Sequence, residues 1–113
     1  MPATAIEVLT LGLTATAAIA QFQPVQASGA PAVAAGNAVG FARVAAASGE
    51  RVPVTVQGTV VAIAGAAIAV GALVEVHTTV TQVVTRSAGV SIGRALTAAT
   101  AAGDQIEVLI LPN

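Results

Sequence analysis

Two segments of the chain alternate between hydrophobic and polar positions. In residues 52–56 every second residue is Val, and near the C-terminus Ile106, Val108 and Ile110 are separated by Glu107 and a leucine. A period of two is typical of a β-strand that buries one face. We therefore predict two strands, and we expect the three aliphatic residues of the second to face the core, with Glu107 turned away.

Shorter β-branched segments lie between these two predicted strands. Residues 59–63 and 72–77 are rich in Val, Ile and Leu, and residues 80–85 are rich in Thr and Val, so each predicts a strand. Residues 93–102 are rich in Ala, which favours a helical turn or more, and Gly103 would end it. The balance predicts an all-β protein, folded as a small β-barrel or a β-sandwich.

An internal repeat organises the chain. Three segments of the first half match three of the second half in the same order. The matched pairs are 18–25 with 67–74, 36–40 with 89–93, and 49–56 with 103–110. Duplication followed by small insertions would leave this pattern. We therefore expect a single β domain over residues 16–113, built from two repeated β modules at approximately 18–56 and 67–111, with residues 1–15 as an N-terminal extended arm.

The predicted arm is apolar, and Glu7 is its one charged residue. An apolar terminus is rarely left loose in water unless something holds it. It could extend to a neighbouring subunit and add a strand at an exposed sheet edge there, or it could form an edge strand on its own domain. The contact residues that we predict in this arm are Ile6, Val8, Leu9 and Leu11.

The hydrophobic residues are mostly small. They make up 56% of the 113 residues, but the majority are Ala and Val, and the aromatic residues are Phe22 and Phe41. Because small side chains bury little area, a monomer would be weakly stabilised and would expose apolar surface to water. The composition therefore predicts obligate association between subunits.

Charged residues are few and scattered. They make up 8% of the chain, there is no Lys, and the net charge is −1. A nucleic-acid-binding protein needs clustered cations to replace the counterions of the phosphates. We therefore expect no nucleic-acid partner.

One uncharged stretch, residues 52–74, is long enough to cross a bilayer as a helix. It contains Pro53 and several glycines and threonines, which weaken its tendency to insert. The N-terminal apolar tract resembles a secretory signal peptide, yet Glu7 stands where a cation is expected. A membrane peptide and a cleaved leader remain alternatives, but we expect no membrane partner.

The chain offers little for catalysis or metal binding. His77 is its single histidine, and it has no Cys. A triad of His77 with Ser87 or Ser91 and Asp104 is conceivable, and residues 89–93 match the letters G-x-S-x-G, but we interpret Gly89 and Gly93 as turn glycines rather than as part of a nucleophile elbow. A lone His with scattered acids gives no metal-ligand spacing, and a phosphate loop needs a Lys. We predict no enzyme activity, no cofactor and no metal site, and we expect His77 to be a solvated strand residue.

Glu50 and Asp104 follow turn glycines at equivalent positions of the repeat. They could be solvated turn residues, or they could pair with arginines across a subunit interface. The arginines that we predict as inter-subunit contacts are Arg43, Arg51 and Arg94.

Residues 92–110 resemble the C-terminal end of the capsid cement, or head decoration, proteins of tailed bacteriophages. In that family a short run with the pattern iG-x-A-l-x-a-a-x-a-G-d leads into the last strand, as Ile92 to Asp104 do here. Residues 67–74 are similar to a second family segment, and residues 39–56 to its weaker first copy. The resemblance covers residues 18–111. One departure is the sequence QFQP at 21–24, where the family often has a Gly like Gly71.

The resemblance implies a structural, non-enzymatic virion protein on the capsid exterior, assembled in the host cytoplasm. Such proteins often form homotrimers at local threefold axes and clamp neighbouring major capsid proteins, which stabilises the head. The implied partners are therefore the major capsid protein and further copies of this chain. A secreted or cell-surface β adhesion module is the alternative that the sequence leaves open.

Overall fold

A computed structural model describes residues 4–111, which form a curled antiparallel sheet. Its strands are β1 (Glu7–Thr14), β2 (Pro24–Val25), β3 (Gly40–Ala42), β4 (Arg51–Ile63), β5 (Leu73–Val76), β6 (Val83–Thr85), β7 (Gly93–Ala95) and β8 (Gln105–Ile110). The strand order is β2-β3-β4-β8-β7-β5-β6, and β1 pairs with β4. The predicted all-β fold class is confirmed.

The predicted strands agree with the structure in most places. Residues 52–56 and 59–63 are the two halves of β4, residues 106–110 lie in β8, and residues 72–77 contain β5. The helical expectation for residues 93–102 is wrong, because this segment forms β7 and then an irregular loop.

No helix in residues 4–111 has both the length and the apolar character that membrane crossing requires.

The long strand β4 joins two halves of the sheet. Its first half pairs with β1 and β3, and its second half pairs with β8. Gly58 lies where β4 changes its pairing partner from β1 to β8. Its φ is 101°, and a Cβ placed there would lie 2.2 Å from the carbonyl oxygen of Ile6. Glycine is therefore required where the strand exchanges one set of partners for another.

The two halves of the sheet have equivalent backbone hydrogen bonds. Ile19 and Ala46 exchange both N–H···O bonds, and their repeat counterparts Ile68 and Ala99 do the same. Each half also has its own buried cluster. The first contains Ala15, Ile19, Val25, Ala42, Ala46, Val52 and Val54, and their counterparts in the second are Ala64, Ile68, Val74, Ala95, Ala99, Ile106 and Val108.

Strand β1 has a counterpart in the second half of β4. Leu13 faces Val52 in the β1–β4 ladder, as Ala62 faces Ile106 in the β4–β8 ladder. Of the two possibilities left open for the N-terminal segment, the structure has a strand on its own domain. The division of the chain at residue 15 stays a prediction.

The last strand, β8, lies inside the sheet between β4 and β7. Ile106 and Val108 are fully buried, and the partly buried Ile110 packs against the second cluster, as predicted. Glu107 points elsewhere but is also buried, at 8% exposure, and its Oε1 accepts a hydrogen bond from the Thr4 hydroxyl at 3.3 Å. The N-terminal segment therefore covers a carboxylate that the alternation pattern places in solvent.

Candidate interaction surface

Strand β1 and Ile6, the residue before it, expose four large aliphatic side chains. The exposed fraction is 65% for Ile6, 71% for Val8, 43% for Leu9 and 39% for Leu11. Within residues 4–111, β1 pairs with β4 alone, and irregular register on both sides of Leu9 interrupts the ladder. Exposed apolar groups on an edge strand mark a site for association with another chain. We call these four residues the β1 surface.

Glu7 connects β1 to the neighbouring strands. Its Oε2 forms an ion pair with the Arg43 guanidinium, and the buried Thr55 hydroxyl donates to the same oxygen at 2.8 Å. Arg43 directly follows β3, and Thr55 lies in β4. The three residues therefore link β1, β3 and β4, and Arg43 has a partner within its own chain.

The other two predicted arginines lie at different ends of the sheet. Arg51 opens β4 opposite Thr14, and a Cβ placed on Gly12 would lie 3.1 Å from its Nη2. Arg94 lies on β7, where its Nη1 donates to the Gly71 carbonyl at 2.7 Å. Arg43 and Arg51 thus adjoin β1, and Arg94 belongs to the second half of the sheet. Their role as contact residues stays a prediction.

Both turn carboxylates bind their own turns. The backbone N–H of Ala47 donates to Glu50 Oε1 at 2.7 Å. In the second module, the Thr100 N–H and hydroxyl each donate to Asp104 Oδ2 at 2.9 Å, and the Ala101 N–H donates to it at 3.2 Å. The hydrogen bonds from Thr100, then that from Ala101, lower the pKa of Asp104 below its ordinary value. Within residues 4–111 neither carboxylate forms an ion pair with an arginine.

A cavity of about 170 Å³ adjoins β1. It is lined by Glu7, Phe22, Phe41, Arg43, Thr55, Ala5, Ala42, Val60 and Val61. Both aromatic residues of the chain therefore meet here, beside the ion pair. The contact residues predicted from the sequence did not include Glu7, Phe22 or Thr55.

Phe22 holds a backbone conformation that favours glycine. Its φ is 67°, and the repeat counterpart Gly71 has a φ of 87°. Its N–H donates to the Ala42 carbonyl at 2.9 Å, as the Gly71 N–H donates to the Ala95 carbonyl at 2.8 Å. A non-glycine residue in this region costs about 1–3 kcal/mol. The departure from the family pattern at residues 21–24 was the available sequence signal for this position.

Two of the residues considered for catalysis, His77 and Ser91, are described by their hydrogen bonding. His77 follows β5, and its Nδ1 accepts the Thr79 backbone N–H at 3.0 Å. The Ser91 hydroxyl is buried without a hydrogen-bond partner in the part of the chain that the structure describes. Residues 4–111 contain no group of three or more His, Cys, Asp or Glu side chains that could hold a metal ion.

The candidate functional site is the β1 surface together with its adjoining cavity.

The sequence model of the phage cement protein family matches residues 3–110. The chain belongs to the phage cement protein family. Membership gives it a structural, capsid-associated role in a phage, and it confirms the resemblance found in residues 18–111. A search of curated proteins finds no match to the sequence.

A solved structure shares the fold. The N base of the head fiber gp8.5 of bacteriophage phi29 superposes with a TM-score of 0.72, over 91% of this chain and 93% of that chain. The two sequences are 16% identical, so the likeness concerns the fold alone.

Proposed function

We propose that this protein binds the outer surface of a phage capsid and holds neighbouring major capsid proteins together, which stabilises the head. The observation that carries the proposal is the β1 surface, an exposed apolar edge strand in a member of the cement family. The role is structural, and no catalytic step belongs to it. Family membership favours this function over the adhesion module that the sequence left open.

The free edge of β1 suits pairing with a strand of the capsid protein. Backbone N–H and C=O groups on an edge strand supply hydrogen bonds, and alternate side chains supply specificity. The β1 surface would then be buried against the capsid, which removes the apolar groups from water. Arg43 and Arg51 adjoin β1 and lie within reach of the same partner.

Strong attachment comes from several contacts made together. A homotrimer presents three β1 surfaces, and binding of the first raises the effective concentration of the other two. Individual contacts can therefore be weak while the assembled trimer stays bound. The small charge of the chain fits a surface that neighbouring subunits largely cover.

Decoration of purified capsids tests the proposal. Capsids lacking the protein are mixed with the wild-type chain, Val8→Asp or Val70→Asp, and the bound fraction is measured by co-sedimentation. Val8 and Val70 are exposed to a similar extent, 71% and 64%, but Val70 lies in the second half of the sheet. We expect Val8→Asp to weaken binding by at least tenfold, because it buries a charge in the contact.

The wild-type chain and Val70→Asp should bind alike and raise the temperature at which the capsid opens. If Val8→Asp binds capsids as tightly as the wild-type chain, β1 is not part of the capsid contact. Failure of the wild-type chain to bind any capsid of its own phage would overturn the proposed function.

A further inference from the structure

The residues that distinguish the cavity beside β1 are replaced by others in the second half of the sheet. Its aromatic walls Phe22 and Phe41 correspond by the repeat to Gly71 and Arg94, and Glu7 corresponds to Val56. The two modules share their backbone hydrogen bonds and their buried clusters. Phe41 is fully buried in the second cluster, but the shared fold does not require a ring at position 22 or a carboxylate at position 7.

The chain has a Phe at position 22 although the backbone there is in the left-handed region. The left-handed conformation is set by the hydrogen bond to Ala42, which the glycine counterpart makes equally well. A Cβ placed on Gly71 would have no neighbour within 4 Å, so no packing demand at this turn calls for a side chain. Strained residues of this kind cluster at binding sites.

The size and polarity of the cavity define its occupant. A cavity of about 150 Å³ is known to hold one benzene ring, and this one measures about 170 Å³. Oε2 of Glu7 is bound by Arg43 and Thr55, whereas Oε1 accepts no hydrogen bond from residues 4–111. Because Arg43 balances the carboxylate charge, the site suits a neutral ring that carries a hydrogen-bond donor.

We propose that this cavity binds a tyrosine side chain of another protein, with the ring against Phe22 and Phe41 and the hydroxyl donating to Oε1 of Glu7. The chain contains no Tyr, so a second copy cannot supply the side chain. Buried aromatic anchors of this kind dominate the affinity of many interfaces. The further step, that the tyrosine belongs to a capsid protein, rests on the proposed function.

The cavity is tested first with the side chain alone. Isotope-labelled wild-type protein is titrated with 4-methylphenol, the side chain of tyrosine, and with toluene, the side chain of phenylalanine, and backbone amide shifts are followed by NMR. We expect saturable shifts around Phe22, Phe41 and Glu7, with 4-methylphenol binding several-fold more tightly. Absence of saturable shifts, or equal binding of toluene, would overturn the proposal without requiring any variant.

The ring of Phe22 is tested next by Phe22→Gly, with Val70→Ala as the matched control. Val70 precedes Gly71 at the equivalent turn and lies outside the cavity. Glycine adopts the left-handed conformation freely, so Phe22→Gly should keep the dispersed amide spectrum of the folded protein. It should lose saturable 4-methylphenol binding, whereas Val70→Ala should retain it.

On capsids, Phe22→Gly should bind at least about thirtyfold more weakly than the wild-type chain, the loss typical of an interface anchor. If the wild-type chain and Phe22→Gly bind capsids equally well, the cavity does not take part in capsid binding. The proposed function would then remain intact. If the wild-type chain binds 4-methylphenol but no capsid, the proposed function is overturned. The cavity would still be a tyrosine-binding site.

Discussion

At the scale of single residues, the protein uses carboxylates to close its turns. Glu50 and Asp104 stand one residue after turn glycines, and each accepts backbone N–H groups of the residues before it. Three donors converge on one oxygen of Asp104, whereas one donor reaches Glu50. The second turn therefore depends more on its charge than the first.

The Asp104 turn predicts a dependence of stability on pH. Because the folded state lowers the pKa of Asp104, its ionised form stabilises the protein above the ordinary value of 3.8, and this contribution is lost as the pH falls through the lower folded pKa. We expect Asp104→Asn to lower the unfolding temperature at pH 7, with the difference from wild type shrinking as the pH drops below 3.8.

Thermal unfolding followed by circular dichroism between pH 2.5 and 7 measures this difference. Glu50→Gln, at the equivalent turn, is the control, and its effect at pH 7 should be smaller because a single N–H loses its charged acceptor. A deficit of Asp104→Asn that stays constant over the whole pH range would contradict the assignment.

At the scale of the elements, β8 is a central strand of the second half of the sheet. It pairs on both edges, with β4 and β7, and its core-facing residues Ile106 and Val108 are fully buried. β1 has the opposite character, since it pairs on one edge and exposes most of its aliphatic groups. The aliphatic residues of β8 therefore belong to the core, whereas most of those of β1 face solvent.

The central position of β8 predicts contrasting effects of two neighbouring substitutions. Val108→Asp should prevent soluble folding, because an unpaired buried charge costs several kcal/mol in a small domain. Glu107→Gln should change the unfolding temperature by no more than about 2 °C, because the amide oxygen can still accept the Thr4 hydroxyl.

Soluble yield and thermal unfolding distinguish the two variants. If Val108→Asp folds as well as Glu107→Gln, the buried face of β8 has been assigned to the wrong residues.

The elements also show where local propensity fails. Residues 93–102 are rich in Ala and favour a helix, yet Gly93–Ala95 form β7 between β5 and β8. Pairing on both edges satisfies the backbone groups of this short strand, and that tertiary gain exceeds the small helix preference of Ala.

At the scale of the whole molecule, two equivalent modules share β4. Their clusters consist mainly of Ala, Val and Ile, so each contributes a modest buried area. The apolar groups that the single chain cannot bury are concentrated on β1 and on a few loop residues. Capsid binding would cover β1, and contacts between copies of the chain would cover other apolar groups and add stability that the monomer lacks.

The Ala- and Val-rich, charge-poor chain, together with the homotrimers that cement proteins often form, predicts a homotrimer. Multi-angle light scattering after size exclusion should give about three times the chain mass of 10.9 kDa at high concentration. Dilution should shift the distribution towards smaller species, because burial of apolar area between subunits follows mass action. A monodisperse monomer at every concentration, together with no trimeric cross-linked product on decorated capsids, would exclude this assembly.

The sequence by itself determined the strands at residues 52–56 and 106–110, the repeat and the family. These follow from side-chain periodicity and from residue order, which are properties of the linear chain. The tertiary structure decided that β1 pairs with β4, that Glu107 is covered, and that the cavity forms. Each of these joins residues remote in sequence, as Glu7 joins Arg43 and Thr55, and strand pairing over such separations depends on the packing of the whole sheet.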